Sequence, residues 1–220
     1  MDSSYYFEQL YPLQDRALEV MAQLDNGLYL TGGTATSRGY LHHRFSDDLD
    51  FFANDDSRFV LWTERTIDAF ASVPRWQISV SQTEARFARF FIEEAGVQLK
   101  IEMVNDVPAR VGEISRHPVL GRLDSPENIL ANKVTAALDR AAAKDLADIW
   151  GFCTRMGLSL EEAIMNAHSK AAGIFPPDLA RVLLSATETD WRQVRWWQGP
   201  EVGQFLDDLR MLGEQLIYAE

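Results

Sequence analysis

Cysteine, positive charge and long apolar runs are all scarce in this chain, and each scarcity excludes something. A single cysteine, Cys153, rules out an intrachain disulfide and suits a reducing compartment, so the expected location is the cytoplasm. It lies in a helical pattern beside Trp150 and Phe152, where a packing thiol is a better reading than a nucleophile. Lys and Arg number 21 against 33 Asp and Glu, a net charge of −12. A protein that holds nucleic acid through its overall field is basic, because lysine and arginine must replace the backbone counterions. An RNA partner therefore needs a local basic patch or a further protein, whereas a free nucleotide needs only a metal and a few cations. No stretch approaches the ~20 apolar residues of a membrane span. The opening MDSSYYFEQLYPLQ lacks the basic and then apolar order of a secretory signal. His42, His117 and His168 have no zinc-site spacing. What is present is ordinary for a soluble globular protein. The 220 residues are 46% apolar and 25% charged, enough for one large domain or two small ones.

The chain is organised around residues 28–53, LYLTGGTATSRGYLHHRFSDDLDFFA. An apolar strand (Leu28, Tyr29, Leu30) enters Gly32-Gly33, and Thr34 is placed to cap a helix opening there. A second strand, Leu49 to Ala53, carries Asp48 and Asp50. Side chains two apart on a strand share a face, so these two carboxylates point the same way, and Asp47 points to the other face if the strand already extends that far. Neighbouring carboxylates repel unless a cation sits between them, as Mg²⁺ would with oxygen ligands. A helix start after two glycines offers unpaired N–H groups to a phosphate. Taken singly, the pieces also read as a plain turn and a solvated acidic loop; their order joins a phosphate cradle to a metal clamp.

Residues 4–25 have the spacing of a packing helix with a boundary at Pro12. Arg58 to Ser72 reads as an amphipathic helix stopped by Pro74. Residues 76–104 hold three strand-like runs, WQISVSQ, ARFARFFIEEAG and VQLKIEMV, the last two joined at Glu94-Ala95-Gly96. On the third, Lys100 and Glu102 face away from Leu99, Ile101 and Met103, as either a wet edge or an active-site face. Residues 105–124 read as a loop with Arg110, Arg116, His117 and Arg122, a rare basic stretch that also reads as a solvated linker. A helix then starts at Ser125 as N-cap, with Pro126 and Glu127 behind it. The run to Phe152 puts Lys133, Ala137, Arg140 and Lys144 on one face, joined by Asp148 if the helix is continuous. That face suits either a triphosphate or solvent with Asp–Arg pairing. Beyond Gly157 the chain is helical, and Trp191, Trp196 and Trp197 with Arg192 and Arg195 read as a packed cap before a base-stacking platform.

The segment LTGGTATSRGYLHHRFSDDLDFF resembles the AbiEii/AbiGii toxin family, within the DNA polymerase β-like nucleotidyltransferase superfamily. Family members carry a similar GGTA…HR-x-SDD-x-D-x-F run. They also carry K-x-x-A-x-x-x-R…(R/K)D-x-x-D after an S-P-E helix start, matched by Lys133, Ala136, Arg140, Lys144, Asp145 and Asp148. The residue before Asp145 is lysine where arginine is frequent, which keeps charge but loses bidentate geometry. The resemblance covers residues 25–155. It implies triphosphate binding by Gly32, Gly33 and Thr34 and metal binding by Asp48 and Asp50. Glu102 matches the third carboxylate such enzymes carry on a later, adjacent strand. Lys133 would contact the nucleotide phosphates, Arg140 would bind nucleotide, and Asp145 is a further catalytic acid acting as a base, holding Lys133 or orienting Arg140. His43, Arg44 and Ser46 belong to the motif without a chemical role that sequence can assign.

The implied fold is α+β. A polymerase β-like core with a small mixed sheet (residues 1–124) precedes a C-terminal helical subdomain (125–220), with the site expected as a cleft between them. The implied function is a metal-dependent nucleotidyltransferase using an NTP and Mg²⁺ or Mn²⁺. It would be the toxin of a toxin–antitoxin pair, with tRNA as an acceptor reached through a local basic patch and a cognate antitoxin as partner. The acidic charge leaves a protein or small-molecule acceptor open. A non-catalytic nucleotidyltransferase-fold binding module is the other class, against which the intact Gly32-Gly33, Asp48 and Asp50 speak.

Overall fold

A computed structural model describes residues 3–218 of the chain, the side chain of Tyr218 excepted. The chain forms two compact units. The first comprises the residues up to Gly39, Phe45–Pro108 and Glu113–Asp124; the second comprises Tyr40–Arg44, Ala109–Gly112 and the chain from Ser125 onward.

In the first unit the chain opens with α1 (Ser3–Tyr5), a π-helical stretch (Tyr6–Leu10) and α2 (Tyr11–Ala22). The boundary expected at Pro12 falls at Tyr11, where the π-helical stretch gives way to α2, and Pro12 sits in the first turn of α2. There follow β1 (Tyr29–Thr31), the helical turn α3 (Gly32–Thr34), a π-helical stretch (Ala35–Leu41) that leads out of the unit, β2 (Leu49–Asn54) and α4 (Phe59–Ala71). Then come β3 (Gln77–Thr83), β4 (Phe87–Glu94), β5 (Val97–Asp106), β6 (Ser115–His117) and β7 (Gly121–Leu123). All seven strands form one mixed sheet in the order β3-β4-β5-β2-β1-β7-β6. β2 pairs parallel with β5 and β1 parallel with β7; the other pairs are antiparallel. The expected loop at 105–124 therefore contains two sheet strands. Three-residue strands are too short to show a period of two, so pattern reading misses them.

The β4–β5 turn falls where expected, with Ala95 and Gly96 at φ 52° and 81°, the positive values a two-residue hairpin demands. Alternation then sorts the sheet's faces. Leu49 and Phe51 of β2, Phe90 and Ile92 of β4, and Leu99, Ile101 and Met103 of β5 are all buried. Each fully buried side chain of this kind contributes about 1.5–3 kcal/mol. Phe70 of α4 meets Phe90 edge-on, ring centroids 5.6 Å apart, so α4 covers this apolar face. The alternate residues Asp50, Lys100 and Glu102 are thereby turned to the opposite face.

The second unit holds α5 (Pro126–Arg140), α6 (Ala143–Arg155), α7 (Leu160–His168), α8 (Pro176–Leu184), α9 (Glu188–Gln193) and α10 (Val202–Tyr218). The single helix expected from Ser125 to Phe152 is broken at Ala141, which takes a left-handed conformation (φ 45°) between α5 and α6. The face carrying Lys133, Ala137, Arg140 and Lys144 therefore does not run straight. No glycine or proline marks the break, so helical propensity alone could not reveal it. Trp196 packs against Trp150, Trp191 and Phe205 at centroid distances of 6.0, 6.2 and 5.5 Å, which is a packing role. Cys153 is largely buried, and burial pushes its thiol up to about 12, out of nucleophile range.

Ser125 caps α5 by accepting from the Asn128 N–H at 3.1 Å while its own hydroxyl donates to the Val111 carbonyl at 2.6 Å. Ser125→Ala should lower stability by about 1 kcal/mol, within the 0.5–2 kcal/mol typical of lost caps, read as a lower urea midpoint at unchanged m-value.

Candidate active site

In the first unit, Asp48, Asp50 and Glu102 are brought to one region by strand register. Asp50 lies opposite Glu102 on the parallel pair β2–β5, and Glu102 lies opposite Arg89 on the antiparallel pair β5–β4. A row Asp50–Glu102–Arg89 thus crosses three strands. Arg89 Nε donates to Glu102 Oε1 at 2.6 Å. Lys100 bridges the row to Asp48, its Nζ standing 2.9 Å from Asp48 Oδ2 and 3.4 Å from Glu102 Oε2. Burial works against charge on both Lys100 and Glu102. The Asp48 carboxylate nevertheless raises Lys100 above its ordinary value, and Arg89 with Lys100 lowers Glu102 below its own.

The glycine turn is built against these acids. Gly32 has φ +66°, and a Cβ placed on it would lie 2.3 Å from Asp50 Oδ2, so both backbone and space exclude a side chain. Gly33 follows at the first turn of α3. Thr34 is buried and does not cap that turn: Thr31 occupies the N-cap position, and the Thr34 hydroxyl donates to the Asp48 carbonyl. Asp47 points away, accepting from Tyr6 Oη at 2.9 Å.

In the second unit, Lys133, Arg140 and Asp145 also come together, joined by three residues to which sequence gave no role. Asp148 is fully buried and accepts from Arg44 through both oxygens (Nε–Oδ1 and Nη2–Oδ2, each 2.7 Å) and from His43 Nε2 at 3.0 Å. Lys133 Nζ lies 2.7 Å from Asp148 Oδ2 and 2.9 Å from Asp145 Oδ1. Arg140 forks onto Asp145 at 2.7 and 3.1 Å. Asp145 therefore both holds Lys133 and orients Arg140. Burial opposes ionisation of both aspartates. Arg44 and Lys133 still keep Asp148 well below the usual carboxylate range, and Lys133 with Arg140 lowers Asp145. Burial leaves His43 neutral by lowering its pKa, so three cations face two carboxylates and the cluster is net positive. The same burial, reinforced by Lys133 and Arg140, lowers Lys144.

Lys100, His43 and Arg44 are the residues whose roles sequence reading missed. The HR of the motif was visible as a pattern, but its partner Asp148 lies more than a hundred positions away.

A family model described as "Nucleotidyl transferase AbiEii toxin, Type IV TA system" matches residues 16–211. The chain belongs to this family. This AbiEii-family member is accordingly a toxin nucleotidyltransferase. It is 29% identical over 152 residues, 68% of its own length and 69% of the relative's, to an uncharacterized protein of Aquifex aeolicus. Its fold is shared with the MenT4 nucleotidyltransferase toxin of Mycobacterium tuberculosis (TM-score 0.70, 19% identity, covering 100% of this chain and 87% of the other). It is shared too with JHP933 of Helicobacter pylori (TM-score 0.68, 18% identity, 98% and 93%).

Two outcomes test the geometry of this AbiEii toxin. Gly32→Ala should displace Asp50 and impose left-handed strain, lowering stability by about 1 kcal/mol or more and nucleotidyl transfer much further, read by denaturant titration beside an activity assay. Asp148→Asn leaves Arg44 and Lys133 buried against a neutral group and should cost about 3–5 kcal/mol at neutral pH. Because the folded pKa of Asp148 is depressed, its contribution is present above the unfolded value of ~3.9 and is lost as pH falls through the lower folded value. The wild-type and Asp148→Asn stability curves should therefore converge on acidification.

Proposed function

We propose that this toxin transfers a nucleoside monophosphate from an NTP to RNA, with tRNA as acceptor, in a reaction that depends on Mg²⁺ or Mn²⁺, and that a cognate antitoxin restrains it. The observation that carries the proposal is the row Asp50–Glu102–Arg89 with Asp48 and Lys100 beside it, set against a glycine that has no room for a side chain.

The donors are hard carboxylate oxygens already gathered around one cation, the Lys100 ammonium, so their chemistry fits a hard divalent ion. Among the described residues no three ligating side chains form a metal site by themselves. Asp48 and Asp50 would be the protein ligands, with water and nucleotide oxygens completing the set, as Mg²⁺ sites at phosphates generally are. When bound, the ion supplies Lewis-acid stabilisation of charge on the transferred and leaving oxygens.

The rest falls to the chain. The Gly32-Gly33 turn lets triphosphate oxygens approach backbone N–H groups without a side chain in the way. Lys100 and Arg89 hold Asp48 and Glu102 in place. An acceptor hydroxyl then forms a bond to the α-phosphorus and releases its proton to water, the bond from that phosphorus to the bridging oxygen breaks, and pyrophosphate departs. In the second unit Lys133 is a positioning residue, locked by Asp145 and Asp148. Arg140, with its side chain 51% exposed, is the cluster's outward cation for a phosphate.

The net charge of −12 favours a protein or small-molecule acceptor as the second reading. Incubation with α-labelled NTPs, Mg²⁺, and total cellular RNA and protein separates them. Label in small RNA is expected; label in protein would displace RNA as acceptor, and no label would sink the transferase reading. Asp48→Asn should lower incorporation by at least about 10²-fold with thermal unfolding unchanged.

A further inference from the structure

The β6–β7 hairpin sets Arg116 directly opposite Arg122, two like charges on one antiparallel pair, an arrangement that destabilises a bare hairpin. Both arginines line one cavity of about 320 Å³ in the first unit. Arg122 also lines an adjoining cavity of about 470 Å³ together with Arg58 and Arg65, and Asp25 and Asn26 are shared by the two. Four arginines thus face Asp25 and Asp56, a local excess of positive charge on a chain of net charge −12. Arg58 is engaged by Asp56 at 2.7 Å and lies over the Trp62 ring. Arg65, Arg116 and Arg122 are exposed and pair with no described carboxylate. Among the described residues, Leu61 is the one strongly exposed large apolar side chain lining either cavity, so the surface lacks the apolar centre of a protein interface. Trp62 is buried and Tyr29 is 2% exposed, which leaves no aromatic face for a base.

We propose that Arg65, Arg116 and Arg122 form a phosphate-backbone contact for the RNA acceptor, holding it by charge and without reading its bases. The inference rests on the acceptor being RNA, as proposed above. The patch adjoins the start of β1, whose other end carries Gly32. From Tyr29 to Gly32 the chain advances about 10 Å at ~3.3 Å per residue. Phosphate contacts fix register while carrying no sequence information, which matches the lining.

The test measures binding of the full chain to fluorescent oligouridine and oligoadenine across a salt series. Substituting Arg65→Gln, Arg116→Gln and Arg122→Gln together should weaken binding at low salt by at least about ten-fold and flatten the log–log salt slope by about 2, at ~0.7 per contact. The corresponding triple lysine variant, which keeps the charge, should retain most of the slope, separating charge loss from misfolding. Unchanged affinity and slope in the glutamine variant would overturn the proposal. So would strong preference for one homopolymer, or equal binding of polyglutamate by the wild type, which would assign the patch to an acidic protein. The glutamine variant should keep its Mg²⁺-plus-NTP thermal protection. Absence of that protection from the wild type, with RNA binding intact and lost in the glutamine variant, would count against the transferase reading and overturn the acceptor role given to the bound RNA, while the phosphate contact itself would be shown.

Discussion

Carboxylates held close together in a folded protein need cations beside them, and both units of this chain are arranged around that requirement. At an effective dielectric constant near 20, two like charges 4 Å apart repel by about 4 kcal/mol, comparable to a large share of a domain's stability. In the first unit Lys100 and Arg89 answer Asp48 and Glu102; in the second Arg44, Lys133 and Arg140 answer Asp145 and Asp148. The solutions differ in burial. Lys100 and Arg89 are 29% and 39% exposed, so water and ions can exchange with their partners, whereas Lys133 and Asp148 are sealed in. Exchangeable counter-cations suit a surface where charge must arrive and leave. Sealed ones suit a scaffold that must not move.

One segment serves both arrangements. Residues 28–53 give Gly32, Asp48 and Asp50 to the first unit and His43 and Arg44 to the second. That explains why a run of this length carries so many distinctive residues. Its two ends supply the glycine turn and the acids, and its middle meets a buried aspartate far along the chain. A substitution at Arg44 would act through Asp148, removing one of the two cations that hold its buried carboxylate.

The charge of the whole chain and that of its parts point in different directions. A net charge of −12 argues against nucleic acid as a partner, yet the hairpin β6–β7 sets two arginines directly opposite each other. Net charge governs long-range approach; contact is decided by the few side chains at a surface. The two statements are compatible once the distribution is known, and composition does not contain the distribution.

The sequence by itself determined whatever rests on neighbours a few residues apart. Asp50 alternates with Leu49 and Phe51 because strands alternate, Ala95-Gly96 turns because the hairpin needs positive φ, and Ser125 caps because a serine, proline and glutamate stand in order. The AbiEii resemblance added the pairing of that acidic strand with the later K…R…D helix. Tertiary structure alone decided the rest. Lys100 looked like an alternating surface residue until the parallel pairing of β2 with β5 set it beside Asp48. Lys133 looked like one face of a long helix until the left-handed turn at Ala141 and the burial of Asp148 made it a lock between two carboxylates. His43 and Arg44 had no readable role because their partner lies more than a hundred residues away. Local pattern carries periodicity and turn chemistry; which distant charges meet, and how dry the place is where they meet, is set by the packing of the whole chain.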